Sequence, residues 1–124
     1  MAGMSFLTEC FLFFSLATPL PPKVIEFKIL INSTALNITW RGWNDGNSLV
    51  TMFILEYKVK SEKWEVQYIS NINYYLLYNV DFNKVYYFRI SALNAVGQGT
   101  PSAVRKVVFR GKLYKIGLED WNDL

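Results

Sequence analysis

From Val80 to Ser102 the chain alternates apolar and polar residues behind a tyrosine, then breaks into glycine and proline. Few folds tolerate that order. Tyr86, Phe88, Ile90 and Ala92 recur at a period of two, which puts their side chains on one face of a strand. Val80 stands six residues before Tyr86. A tyrosine so placed buries its ring and bonds its hydroxyl to the backbone upstream, the corner device of Greek-key sandwiches. Beyond Ala92, residues Asn94, Gly97, Gly99, Pro101 and Ser102 supply the turn chemistry of a hairpin.

The rest of the composition agrees with a β fold and narrows the chemistry. The 124 residues suffice for one domain, and 52% hydrophobic with 17% aromatic residues beside β-branched neighbours favours strands. Histidine is absent, which removes the commonest general base and metal ligand. The single Cys10 allows neither a thiolate metal site nor an internal disulfide, and this argues against a bridged immunoglobulin domain. Gly97 and Gly99 are no dinucleotide fingerprint, because no third glycine follows and Pro101 stands where a helix would begin. There is no nucleophile elbow, and the carboxylates are scattered rather than paired. The expectation is therefore no enzyme, no cofactor, no metal and no catalytic residue. No basic–aromatic interleaving points to nucleic acid, and a net charge of +3 decides little about partners.

Along the chain, residues 1–17 stand apart as an apolar run ending in Ser15 and Ala17. They admit two readings, a secretory leader or an N-terminus joined from a longer chain. Small residues at that spacing suit a signal peptidase, whereas Glu9 and the missing basic start oppose it. The run is too short to span a bilayer, which takes about 20 apolar residues. Residues 18–22, with Pro19, Pro21 and Pro22, form a stiff linker. Alternation then predicts strands over 24–31, 36–40, 53–59, 64–69, 74–77, 85–93 and 103–109. Seven short strands between turns make an all-β, seven-stranded, Greek-key, immunoglobulin-like sandwich over 23–109. Residues 110–124 read as a linker or truncated tail that frays.

Landmarks within 21–109 carry a resemblance. Trp40, Tyr57, the corner Tyr86, the string Phe88, Arg89, Ile90, Ala92, Asn94, and the turn Gly97, Gly99, Pro101, Ser102 fall in the order of a fibronectin type III domain. Phe82 stands where that family usually has proline, and Val80 where leucine is usual. The stretch Trp43, Asp45, Gly46, Phe53, Glu56, Tyr57, followed by Trp64, resembles the modules of Down syndrome cell adhesion molecule (Dscam) relatives. Asn47, Ser48 and Leu49 replace the Gly-Cys-Pro of those modules.

Candidate sites follow from the alternation. Trp40, Tyr57, Tyr86 and Phe88 are expected in the core. Asn32 and Asn37 each open a glycosylation sequon, and Asn37, flanked by inward Leu36 and Ile38, falls on the outer face. A glycan there would keep that face free of partners. Trp43 and Trp64 fit no core position; each reads as an anchor for a partner or, preferably, as a cover for a sheet edge or for lysine stems. Arg105, Lys106, Arg110 and Lys112 form a basic run that either meets sulfated glycan or anionic lipid or, preferably, guards an edge strand with charge. The turns holding Trp43, Asp45, Asn47 and Gly97, Gln98, Gly99 should meet at one end, where recognition loops cluster in related folds.

The resemblance implies a non-catalytic extracellular interaction module, a spacer and binding surface within a cell-adhesion receptor. Its partners would be other cell-surface or extracellular proteins, homophilic copies of the parent receptor included. The chain would sit at the cell surface, or be secreted if the leader is real. The alternatives are a ligand-binding module of a cytokine-type or phosphatase-type receptor, and a spacer beside an enzyme domain.

Overall fold

The computed structural model describes residues 15–30, 33–110 and 113–116. Its strands run β1 (Val24–Ile29), β2 (Leu36–Arg41), β3 (Met52–Val59), β4 (Glu65–Ser70), β5 (Tyr74–Leu77), β6 (Val85–Leu93), β7 (Arg105–Arg110) and β8 (Leu113–Ile116). They make a three-stranded sheet, β1-β2-β5, and a five-stranded sheet, β4-β3-β6-β7-β8. Every pairing between these strands is antiparallel.

The period-two faces of both sheets meet in one core. Leu36, Ile38 and Trp40 of β2 face Phe53 and Leu55 of β3 and Phe88 and Ile90 of β6, all fully buried. Trp40 meets Phe53 edge-on at 5.5 Å, and Phe27 of β1 crosses the layer to Phe88 at 5.0 Å. Burying each such side chain is worth about 1.5–3 kcal/mol, so a one-residue register slip in any strand would lose several at once.

Behind β6 the corner closes as the spacing requires. The Tyr86 hydroxyl accepts the backbone N–H of Asp81 at 2.9 Å, while its ring lies against Phe88 and Phe109. Phe82, in place of the family's usual proline, takes part in the corner. Its ring packs on Phe109 at 5.0 Å, and Asp81 caps the turn by accepting the N–H of Asn83 at 2.9 Å.

Three expectations are corrected. Tyr57 is only half-buried, stacked on Phe88 at the rim of the core. The strand expected from residue 103 begins at Arg105, because Ser102 replaces regular pairing: its Oγ accepts the N–H of Ile90 at 3.0 Å, and its own N–H donates to the Ile90 carbonyl at 2.8 Å. The tail is not all frayed linker. Leu113–Ile116 forms β8, pairing from Arg110↔Leu113 to Val107↔Ile116 and satisfying backbone groups that the edge of β7 would otherwise leave open. Asn32, Lys112 and most of the apolar N-terminal run lie outside the described residues.

Candidate functional site at the loop end

The turn between β2 and β3 is shaped by its own side chains. Gly42, Gly46 and Asn47 adopt positive φ, at 78°, 70° and 64°. Asn44 Oδ1 accepts the N–H of Gly46, and Asp45 Oδ1 accepts that of Asn47, both at 2.9 Å. These are Asx turns, the local bonds that Asn and Asp make in place of ladder pairing.

The turn between β6 and β7 is organised by Asn94, which is only 4% exposed. Its Oδ1 accepts the N–H groups of Val96 and Gly97 at 2.9 and 3.2 Å. Its Nδ2 donates to the carbonyls of Ala17 at 2.7 Å and Asp45 at 2.8 Å. One side chain thus ties together both loops and the entry segment.

That entry segment fills the space between the loops. Ala17 N–H donates to the Gly46 carbonyl and Leu20 N–H to that of Asn44, both at 2.9 Å. The Asn47 amide reaches the Ser15 carbonyl at 3.0 Å, and Pro19 is fully buried. A Cβ on Gly46 would collide with the Ala17 carbonyl, and one on Gly99 with that of Pro19. Both glycines are needed for close backbone approach.

The two loops therefore converge as expected, but several of the residues placed there as partner contacts are engaged within the chain. Trp43 is half-buried and edge-on to Phe53 at 4.7 Å. Asp45 and Asn47 hold the turn and the entry segment, Gly99 is buried against Pro19, and half-buried Gly97 bonds Asn94. Gln98 is exposed, with its amide on Ser91 Oγ at 3.0 Å. Leu49 and Val96 are the exposed apolar side chains at the tips of these loops.

Elsewhere the outer face of the five-stranded sheet carries a stack. Arg89 pairs with Glu56 through two bonds of 3.0 Å, and its guanidinium lies 4.2 Å from the centroid of Trp64. Lys58 Nζ sits 5.3 Å from the same ring and 5.8 Å from that of Tyr87. Trp64 thus packs beneath two cationic heads within the chain. Within the basic run Arg105 and Lys106 take opposite faces, as neighbours on a strand do: Arg105 lies opposite core Phe88, and Lys106 opposite Tyr87. Asn37 is half-buried on the middle strand β2, in a shallow depression lined by Glu26, Phe27, Lys28 and Thr39.

Sequence reasoning missed the role of Asn94, noted only as a landmark, and that of the Glu56–Arg89 pair. The one signal on hand was an asparagine just past a strand end and ahead of the Gly97 turn, which marks a turn but not its partners.

Comparison with known proteins agrees with this architecture. Protein sidekick of Drosophila melanogaster is 31% identical over 109 residues, covering 73% of this chain and 5% of that protein. Human cell adhesion molecule DSCAML1 is 31% identical over 88 residues, covering 66% of this chain and 4% of its own. Receptor-type tyrosine-protein phosphatase S of Gallus gallus is 33% identical over 84 residues, covering 65% and 6%. The chain thus spans a small fraction of the relatives it matches. Among solved structures, the twitchin kinase region of C. elegans superposes with a TM-score of 0.64 at 27% identity, covering 80% of this chain and 18% of that one. The profile of the fibronectin type III domain matches residues 20–108, and the chain belongs to that family.

Proposed function

We propose that this chain is an extracellular module of a cell-adhesion receptor that sets the direction of the polypeptide entering it and presents surface for other proteins. The observation that carries the reading is the clamp of Asn94, Gly46 and Gly99 on residues 15–20. A segment held by backbone bonds and a buried proline cannot swing, so residues 15–20 run into the module in one fixed direction. The likeness to Sidekick and DSCAML1 supports the adhesive setting. The exposed tips at Leu49, Val96 and Gln98 are the parts of the loop end left for a protein partner. A glycan on Asn37 would rise from the middle of the three-stranded sheet and reserve the other faces for contact. Lys106 and Arg110 could meet sulfated glycan only as a minor, salt-sensitive contact.

The likeness to a receptor phosphatase and to a kinase region favours a second reading, a spacer in a signalling protein. The clamp serves either parent equally.

Expression in a secretory host tests the extracellular reading. Secreted chain carrying glycan on Asn37 supports it, and chain retained in the cell without glycan contradicts the leader reading of residues 1–17. A product starting at Thr18 would restrict the clamp to Thr18–Leu20, since Ser15 and Ala17 supply the other bonds.

A further inference from the structure

The strand β5 is unlike the other sheet edges. Edge β1 carries Glu26 and Lys28, β4 carries Glu65, and β8 has Lys115 in its sequence. Charge on an edge strand is a common guard against pairing with another chain. From Gln67 to Val80, a stretch that contains all of β5, there is no Asp, Glu, Lys or Arg. Among the described residues β5 pairs on one side only, with β2.

The alternation of β5 makes this edge compatible with itself. Tyr75 and Leu77 pack against the core, which places Tyr74 and Leu76 on the outer face. Trp40 N–H donates to the Asn73 carbonyl at 3.1 Å, so bonded positions toward β2 are the odd-numbered ones. Tyr74 and Leu76 therefore turn their own N–H and C=O groups toward the free edge. Two copies placed antiparallel about Tyr75 would match Tyr74 of each with Leu76 of the other, and form four backbone bonds. The same register sets Ile72, 47% exposed, against Tyr78, 64% exposed, beside Tyr74 at 48%. Within β5 itself, Tyr74 and Leu76 share the outer face and meet their counterparts. Asn71 and Asn79, at φ 40° and 58°, end the straight segment on either side.

We infer that β5 is a lateral contact between two copies of this module, an antiparallel β5–β5 pair centred on Tyr75. The inference is independent of the clamp at the loop end, which lies outside this edge. A glycan on Asn37 would project perpendicular to the sheet, whereas the pairing runs in its plane. A four-residue strand makes a small contact, so the free module dimerises weakly, with a dissociation constant of about 0.1–1 mM. Tethering copies on one surface raises their effective concentration into that range.

Sedimentation of the chain from micromolar to about 1 mM, with two charge-altered variants, tests the register. Tyr74→Lys with Leu76→Lys sets lysine against lysine and should raise the dissociation constant about tenfold or more. Tyr74→Lys with Leu76→Glu sets lysine against glutamate at both matched positions and should stay within about threefold of the unmodified chain. Tyr74→Lys alone, at the exposed position, should weaken the dimer about threefold and serves if the double variants fail to fold. A chain that stays monomeric at 1 mM overturns the inference. So does a lysine–lysine variant that dimerises as the unmodified chain does, or a lysine–glutamate variant that loses the dimer equally.

Discussion

The side-chain amide of Asn94 donates to the carbonyl of Ala17 at 2.7 Å, joining residues 77 apart in the chain. The same side chain fixes the β6–β7 turn through Val96 and Gly97 and the β2–β3 turn through Asp45. A single buried amide therefore joins the entry segment to both loops, beside the backbone bonds that Ala17 and Leu20 make to the β2–β3 turn.

Asn94→Ala would leave two N–H donors and three carbonyls, that of Ser48 at 3.5 Å among them, without this partner. Since an unmet buried polar group costs about 1–3 kcal/mol, and some of these groups can turn to water, a net loss of about 2–4 kcal/mol is expected. Denaturant unfolding measures it, and amide exchange at Val96 and Gly97 should quicken in the same variant.

Gly99→Ala addresses the clamp without removing any hydrogen-bonding group. The new methyl would strike the Pro19 carbonyl, so the entry segment should lift. Amide relaxation at residues 16–20 should then approach that of a free tail, with stability reduced by about 1–2 kcal/mol.

Tyr86→Phe removes only the hydroxyl that accepts the Asp81 N–H. The ring contacts with Phe88 and Phe109 remain, so the expected loss is about 1–2 kcal/mol in thermal or urea unfolding.

Trp64 and Arg89 should be energetically coupled by their stacking at 4.2 Å. A double-mutant cycle of Trp64→Ala and Arg89→Ala is expected to give about 0.5–1 kcal/mol of coupling. The partly buried Glu56 pair on the same guanidinium is lost in Arg89→Ala and in the double variant alike, so it cancels from the coupling.

Alkaline pH should reveal Tyr57. Burial first, then the neighbouring Tyr75 and Glu65, raises its phenol above the ordinary 10.0, against a lowering bond from Gln67. The unfolded phenol ionises at lower pH than the folded one, so its contribution is full below pH 10.0 and is lost as pH rises through the folded value. Urea midpoints of Tyr57→Phe should fall less steeply above pH 10.0 than those of the unmodified chain.

What could be read from sequence was local. Tyr86 announced itself because its corner depends on a six-residue spacing and a period of two, both written in consecutive residues. The core alternation of Leu36, Ile38 and Trp40 was legible for the same reason. Asn94 was not, because its partners Ala17 and Asp45 come together only when the sandwich closes. The Glu56–Arg89 pair depends on the cross-strand register of β3 and β6, which no single strand encodes. Strand β8 escaped because four residues beyond the family pattern carry too little alternation to stand out.

The most direct test of the clamp is a distance between the entry segment and the β6–β7 turn. Spin labels at Leu16→Cys and Val96→Cys, with Cys10→Ser to remove the native thiol, would report it by pulsed electron resonance. One narrow distance, broadened by adding Asn94→Ala, is the predicted result. A broad distribution in the chain with Asn94 intact would show an unclamped segment and contradict a module that sets the direction of its neighbour.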